Sequence, residues 1–173
     1  KKFKFYRLNK DADTEDNLSL NPDGNLLAFS KGRGDLWTMR PDGKAAKKVF
    51  ESWNKPQYDW SPDGQWMVYS QYDNDFNRDI WIRPIDGHRK PFNLSRHPDN
   101  DSSPTWSPDG KMIAFSGRRR ATETDIYYVM LRNQDHQADA RDKKLKSAID
   151  KVNRARQKPR PSATKSVGTG TKT

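Results

Sequence analysis

The residues best suited to acid–base chemistry in this 173-residue chain are three histidines, His88, His97 and His136. His88 follows an Asp-Gly turn, and His97 lies with Arg96 in a loop at residues 93–99. Nucleophilic catalysis needs a base within reach of an activated Ser or Thr, and the sequence has no Gly-x-Ser-x-Gly elbow. We therefore predict no catalytic residues. We retain His97, Arg96 and His88 as candidate contacts between a loop or a channel and a ligand.

Calcium binding is the metal chemistry that the acidic residues come nearest to. Oxygen-bearing side chains alternate along Asp73-Asn74-Asp75-Phe76-Asn77-Arg78-Asp79, as they do in a calcium loop. Arg78 stands at the sixth position, where such a loop needs Gly, and Pro84 stands at the twelfth, where it needs Glu. The chain has no cysteine, which excludes disulfides, thiol nucleophiles and zinc-thiolate sites. We predict no metal site and no cofactor.

The elements that must position these side chains form an internal repeat. Asn21-Pro22-Asp23-Gly24 recurs as Ser61-Pro62-Asp63-Gly64 and as Ser107-Pro108-Asp109-Gly110, at intervals of 40 and 46 residues. Each tetrapeptide has the composition of a type I turn, with Asn or Ser first, Pro second and Gly fourth. A period of about 40–45 residues is typical of one β-propeller blade.

Two strands are predicted after each turn. The first is apolar on both faces: Leu26-Leu27-Ala28-Phe29-Ser30, Trp66-Met67-Val68-Tyr69-Ser70 and Met112-Ile113-Ala114-Phe115-Ser116. This pattern favours a strand that neighbouring blades cover on both sides. The second strand begins with Asp35, Asp79 or Asp125, and we interpret this repeated acid as structural. The loop between the two strands is four residues longer in the second and third copies.

The complete pattern predicts an all-β fold, a partial β-propeller of three four-stranded blades with the third incomplete, followed by a C-terminal α-helix and a disordered tail. The predicted blades cover about residues 15–52, 55–96 and 101–132, the charged helix covers 133–158, and the tail covers 159–173. Residues 3–8 are predicted to be the outer strand of a preceding blade. Three blades leave two apolar faces uncovered, so we expect a fragment of a larger protein, or copies that assemble into a ring.

Most of the formal charge of +10 lies in the predicted helix and tail, because residues 133–173 carry 11 Lys/Arg and 4 Asp/Glu. Leu145, Ile149 and Val152 form a narrow apolar stripe on this helix. The stripe favours a linker helix that rests on the propeller, or a helix that docks a partner. No aromatic residues interleave with the charges, so we predict no specific nucleic-acid binding. No apolar run of about 18 residues occurs, so we predict no membrane span.

The motif Trp-Ser-Pro-Asp-Gly, a strand ending in Phe/Tyr-Ser, and then Asp-Ile-Trp/Tyr resembles the WD40-like propeller repeat of TolB over about residues 15–132. The same repeat occurs in tricorn-type proteases and in relatives of prolyl oligopeptidase. The wider arrangement resembles bacterial tricorn-like serine peptidases most, through residues 35–43, 92–101 and 125–129. In that family the propellers filter or guide peptides, and a separate downstream domain carries the catalytic Ser. The resemblance also favours a periplasmic or other extracytoplasmic location.

The resemblance implies a non-catalytic propeller segment that guides or gates peptide substrates in a tricorn-like peptidase. Its expected partners are a peptide or protein ligand and the rest of the parent polypeptide, which on this hypothesis is a serine peptidase. The alternative is a TolB-like propeller for protein–protein interaction, without enzymatic activity. A third and weaker interpretation is a propeller lyase or glycan-binding enzyme. It requires His88 and His97 to converge with acids at one end of the channel.

Overall fold

The computed structural model describes residues 2–120, 122–132 and 140–156, and its strands form three antiparallel sheets. The elements are β1 (Glu15–Leu20), β2 (Leu27–Lys31), β3 (Asp35–Met39), β4 (Lys47–Phe50), β5 (Tyr58–Trp60), β6 (Trp66–Tyr72), β7 (Arg78–Pro84), β8 (Phe92–Asn93), β9 (Asp101–Trp106), β10 (Met112–Arg120), β11 (Glu123–Met130) and α1 (Ala140–Arg156). The sheets β1–β4, β5–β8 and β9–β11 each follow the order of the chain. We call them blades 1, 2 and 3. The predicted all-β fold with an incomplete third blade is confirmed.

The predicted strand at residues 3–8 is wrong. The structure gives this segment no regular secondary structure, and Phe5 is 94% exposed. A strand requires a partner for its backbone hydrogen bonds, and none of the described strands pairs with this segment. The alternation of aromatic and basic residues therefore imitates a strand that has nothing to pair with.

The chain divides into two compact units, Lys1–Asn133 and Gln134–Thr173. In the second unit, the apolar stripe of α1 is at least half exposed at Leu145, Ile149 and Val152. Residues 133–139 and 157–173, which include parts of the predicted helix and the whole predicted tail, lie outside the described residues. None of the described helices is long and apolar enough to cross a membrane.

The Pro-Asp-Gly turns join the first two strands of each blade by the same hydrogen bonds. In blade 2, Gly64 N–H donates to the Ser61 carbonyl at 2.8 Å, and Gly64 has a φ of +66°, which favours glycine. The Ser61 hydroxyl accepts from Trp66 N–H at 2.9 Å and donates to the Asp63 carboxylate at 2.5 Å. The equivalent Ser and Asp repeat this arrangement in blade 3. Side chains as well as backbone close the turn, which fixes the register of the strands that follow.

The Asp at the start of the third strand fastens the outer part of the blade. In blade 2, Asp79 is buried and accepts hydrogen bonds from three donors: Asn93 Nδ2 at 2.6 Å, Ser95 Oγ at 3.0 Å and His97 N–H at 3.2 Å. In blade 1, Asp35 accepts from Ser52 N–H at 3.1 Å. The repeated acid therefore holds the segment that leaves the outer strand, where that strand is present.

Neighbouring blades pack face to face through apolar clusters. The cluster between blades 1 and 2 contains Ala28, Leu36, Trp60 and Met67, and the cluster between blades 2 and 3 contains Val68, Ile80, Ile113 and Phe115. Successive residues of a strand point to opposite faces, so Met67 faces blade 1 and Val68 faces blade 3. The middle strand of blade 2 is thus buried on both faces, which explains its uninterrupted apolar sequence.

An N-terminal strap, residues 8–14, crosses the outward face of blade 1. Its backbone contacts the loop at Gly32, at one end of the sheet, and the turn at Gly43, at the other end. Between these ends, two acids of the strap pair with Lys31. The side chain of Lys31 shares its face of the sheet with three buried apolar residues, Leu27, Phe29 and Met39. The strap therefore occupies the side of blade 1 that faces away from blade 2.

The role of the repeated acid can be tested within one chain. Asp79→Ala leaves buried donors unpaired, so it should lower the free energy of unfolding by about 2–4 kcal/mol. Asp125 occupies the same repeat position in blade 3 but is exposed, so Asp125→Ala should change that free energy by less than about 0.5 kcal/mol. Urea denaturation followed by tryptophan fluorescence measures both values. Equal losses in the two variants would contradict the assigned role.

The turn carboxylates should make stability depend on pH. Hydrogen bonds from the Ser61 hydroxyl and the Gln65 N–H lower the pKa of Asp63 below 3.8. A lowered folded-state pKa adds stability that is present above the unfolded-state pKa and is lost as the pH falls through the lowered value. Asp63→Asn should therefore reduce the free energy of unfolding near neutral pH and have little effect near about pH 2. Denaturant titrations at both pH values test this, and a penalty that does not shrink on acidification would exclude it.

Candidate functional site

His88 lies in the turn between β7 and β8. Its N–H donates to Asp86 Oδ1 at 3.0 Å, and its ring nitrogen Nδ1 contacts the same oxygen. The backbone hydrogen bond, followed by the ring contact, lowers the pKa of Asp86. The ring also packs edge-on against Trp66, with 6.0 Å between the ring centroids. These contacts give His88 a local role in the turn.

Arg96 and His97 lie in the connection that follows β8. The Arg96 guanidinium lies 4.9 Å from the centroid of the Phe92 ring, and His97 Nδ1 accepts from Asp99 N–H at 3.1 Å. His97 is bonded to the start of β7, whereas His88 follows the end of that strand. The two histidines therefore lie at opposite ends of blade 2 and do not converge, as the lyase interpretation requires. His136 lies outside the described residues.

The acidic loop at residues 73–79 uses its oxygens to hold its own backbone. Asp73 Oδ1 accepts from the N–H groups of Asp75 and Asn77, each at 2.9 Å. Asp79, at the end of the loop, is bonded to the segment after β8 instead. Across the part of the chain that the structure describes, no group of three or more His, Asp or Glu residues could hold a metal ion.

Two clefts flank Trp53, in the linker between blades 1 and 2. The cleft toward the β2–β3 loop has a volume of about 550 Å³, and its wall includes Lys31, Arg33 and Trp37. The cleft toward the β6–β7 loop has a volume of about 560 Å³, and we call it the Trp53–Phe76 cleft. Its wall is formed by Glu51, Ser52, Trp53, Asn54, Gln71, Tyr72, Asp73, Asn74 and Phe76. The β2–β3 loop, the β6–β7 loop and the inter-blade linker meet at this end of the blades.

The backbone that carries Trp53 is held from both sides. Ser52 N–H donates to the Asp35 carboxylate at 3.1 Å, and Ser52 Oγ donates to the Asn54 carbonyl at 2.6 Å. Gly34 lies directly under the linker, where a Cβ would overlap the backbone of Asn54. The repeated acid of blade 1 and this close approach together fix the linker, while the Trp53 side chain stays 80% exposed.

Phe76 faces the same cleft from the β6–β7 loop, which has four more residues than the β2–β3 loop of blade 1. Its side chain is 81% exposed, and its φ is +60°. A positive φ is unfavourable for a bulky residue, and such conformations concentrate at binding sites. Asp73 stabilises the loop from below, because its N–H donates to the Asn77 carbonyl at 2.9 Å. The extra residues therefore raise an aromatic ring beside Trp53.

The charges around the clefts are paired with one another. Glu51 contacts Lys48 Nζ at 2.5 Å, and this hydrogen bond raises the pKa of Lys48. Lys31 is paired with Asp11, whose hydrogen bond raises the pKa of that lysine. The Trp53–Phe76 cleft then offers aromatic rings and side-chain amides as its free chemistry. Such a surface suits an apolar side chain flanked by peptide groups.

Sequence reasoning did not identify Trp53 or Phe76. Residues 73–79 drew attention for their oxygen atoms, whereas the feature exposed to a ligand is the phenyl ring in the middle of that segment. One signal was available, because a loop lengthened by four residues and carrying a large aromatic residue is atypical of a solvated connection. Trp53 has no such signal, since its exposure depends on how blades 1 and 2 meet.

Comparison with known proteins relates the blades to two kinds of propeller-containing protein. No family model matches the chain. A tricorn protease homologue of Saccharolobus solfataricus is 26% identical over 120 residues, which are 68% of this chain and 11% of that protein. The chain therefore spans about a tenth of the length of that relative.

Solved structures show the same relationship in three dimensions. A TolB of Agrobacterium tumefaciens superposes with a TM-score of 0.59 at 25% identity, over 68% of this chain and 43% of that one. Tricorn protease superposes with a TM-score of 0.56 over 70% of this chain and 14% of that one, and its 12% identity shows the fold alone. The sequence resemblance is confirmed, and the described blades form a TolB-like β-propeller segment related to tricorn protease.

Proposed function

We propose that this chain is a non-catalytic propeller segment that binds peptides in the Trp53–Phe76 cleft and guides them as part of a tricorn-like peptidase. The observation that carries the proposal is a pair of aromatic rings, 80% and 81% exposed, on the wall of one cleft of about 560 Å³. Leaving two large rings in water forfeits the free energy that their burial would supply. A ligand that covers both rings recovers it.

The polar groups of the cleft suit the main chain of an extended peptide. Asn54 and Asn74 bring side-chain amides to its wall, and an amide can donate to one peptide group and accept from the next. Gln71 is oriented by its own hydrogen bond to the Glu51 carbonyl at 3.3 Å. Recognition through backbone amides tolerates many sequences, as guiding of varied peptide substrates requires. The tricorn protease homologue among the relatives supports peptides as the ligand class.

The alternative function is protein–protein interaction of the TolB kind, without enzymatic activity. The observation that favours it is the superposition on TolB, which covers more of that chain than the superposition on tricorn protease does. A folded protein would cover the rims of both clefts, including Arg33, as well as the two aromatic rings. Short unstructured peptides would then bind poorly, whereas an intact protein partner would bind well.

Peptide binding should depend on the two cleft rings. We expect Trp53→Ala and Phe76→Ala each to weaken the binding of a short unstructured peptide with one central Phe or Leu by at least about tenfold. Both side chains are exposed, so the free energy of unfolding should change by less than about 0.5 kcal/mol. Titration monitored through the Trp53 indole N–H resonance in an ¹⁵N-labelled sample measures the Kd and locates the site.

Phe92→Ala is the matched control, because Phe92 is 52% exposed and lies on β8, outside both clefts. This variant should bind the peptide as the native chain does. The same peptide with Ser in place of its central Phe or Leu should bind weakly to all variants. The proposal fails if the native chain binds no such peptide, or if the Trp53→Ala/Phe76→Ala double variant binds it as tightly.

A further inference from the structure

One repeat position has different surroundings in the three blades. Leu36, Ile80 and Ile126 each lie in the third strand, and each pairs with the Ser that ends the second strand of its own blade. Leu36 and Ile80 are fully buried at 0% exposure, whereas Ile126 is 84% exposed. The sequence thus places an aliphatic residue at a position that is built to be covered, and in blade 3 the described residues leave it open.

The same residue types cover the first two positions. Met67 and Trp60 of blade 2 lie in the cluster that contains Leu36. Ile113 and Phe115 of blade 3 lie in the cluster that contains Ile80. In both interfaces the covering residues come from the first two strands of the next blade, on the face that looks back along the chain.

The uncovered face of blade 3 is wider than one residue. Tyr128 pairs with Ala114 and is 62% exposed, whereas Thr38, its counterpart opposite Ala28, is 5% exposed. The outward face of blade 1 differs, because the N-terminal strap crosses it and its apolar residues are buried. Within the described residues, the arc of blades is therefore closed by the strap at one end and open at the other.

We infer that the outward face of blade 3, formed by Ile126, Tyr128 and Ala114, is a docking surface for one further blade of the same repeat. This face continues the interfaces between blades 1 and 2 and between blades 2 and 3, position by position. Its occupant must present an apolar pair such as Met67 and Tyr69, or Ile113 and Phe115, from its second strand. This inference is independent of the peptide cleft, which lies between blades 1 and 2.

A tandem duplication within the full chain tests the inference. Leu131 N–H donates to the Lys111 carbonyl as Ile85 N–H donates to the Gln65 carbonyl, both at 2.9 Å, so residues 131 and 85 occupy the same repeat position. Inserting a second copy of residues 85–130 between Met130 and Leu131 therefore adds an outer strand to blade 3 and then a fourth blade. A second design inserts residues 41–84 at the same point and presents Met67 and Tyr69 instead.

The readout is the dependence of thermal stability on Ile126. In the extended chains, Ile126→Asp at the original position should lower Tm by roughly 10 °C, because the side chain is buried there. In the native chain, and at the terminal copy of the 85–130 insertion, the same change should lower Tm by no more than about 2 °C. Hydrogen exchange of the β10–β11 amides should slow by at least about tenfold in the extended chains.

The inference is overturned if Ile126→Asp at the original position is as harmless in the extended chains as in the native chain. It is also overturned if both extended chains fail to fold, since each reproduces an interface that already exists. Light scattering on the native chain examines the other occupant, a second copy of the chain. A native dimer that Ile126→Asp dissociates would assign the face to self-association and would contradict the inference.

Discussion

The structure depends on the packing of one blade against the next. Each sheet presents small and aliphatic residues to the following blade and larger, often aromatic residues to the preceding one, so successive interfaces repeat the same fit. Leu36 is completely buried between blades 1 and 2, as Ile80 is between blades 2 and 3. Burying such side chains supplies most of the free energy available to a chain with so few apolar residues. A blade taken alone would expose both faces, so each blade needs its neighbour.

The position of the candidate site follows from this packing. Trp53 lies in the linker that the meeting of blades 1 and 2 stretches across Gly34, and Asp35 fixes that linker through Ser52. Phe76 reaches the same cleft from the next blade, through a loop that can be longer because no close neighbour restricts it. The repeat supplies a rigid frame, and departures from the repeat supply the surface that meets a ligand.

The features that sequence reasoning predicted are those that recur. The turns at Ser61 and Ser107 and the doubly buried strands depend on local chemistry and on a period that can be read directly. Residues 3–8 were misassigned, because their alternation satisfies a local rule while the pairing partner is a tertiary property. Exposure of Trp53 and Ile126 could not be predicted, since both depend on what lies on the facing surface. Identical repeat positions can be buried or open, and only the arrangement of the blades distinguishes them.

Native-state hydrogen exchange tests most directly whether packing between blades governs stability. The amides of β6, in the blade covered on both faces, should exchange only through global unfolding, with the free energy that denaturant titration gives. Those of β10, the equivalent strand in the blade with one open face, should exchange through smaller openings that cost less free energy. Equal protection of β6 and β10, or slower exchange in β10, would show that hydrogen bonds within each sheet govern stability and would contradict the account.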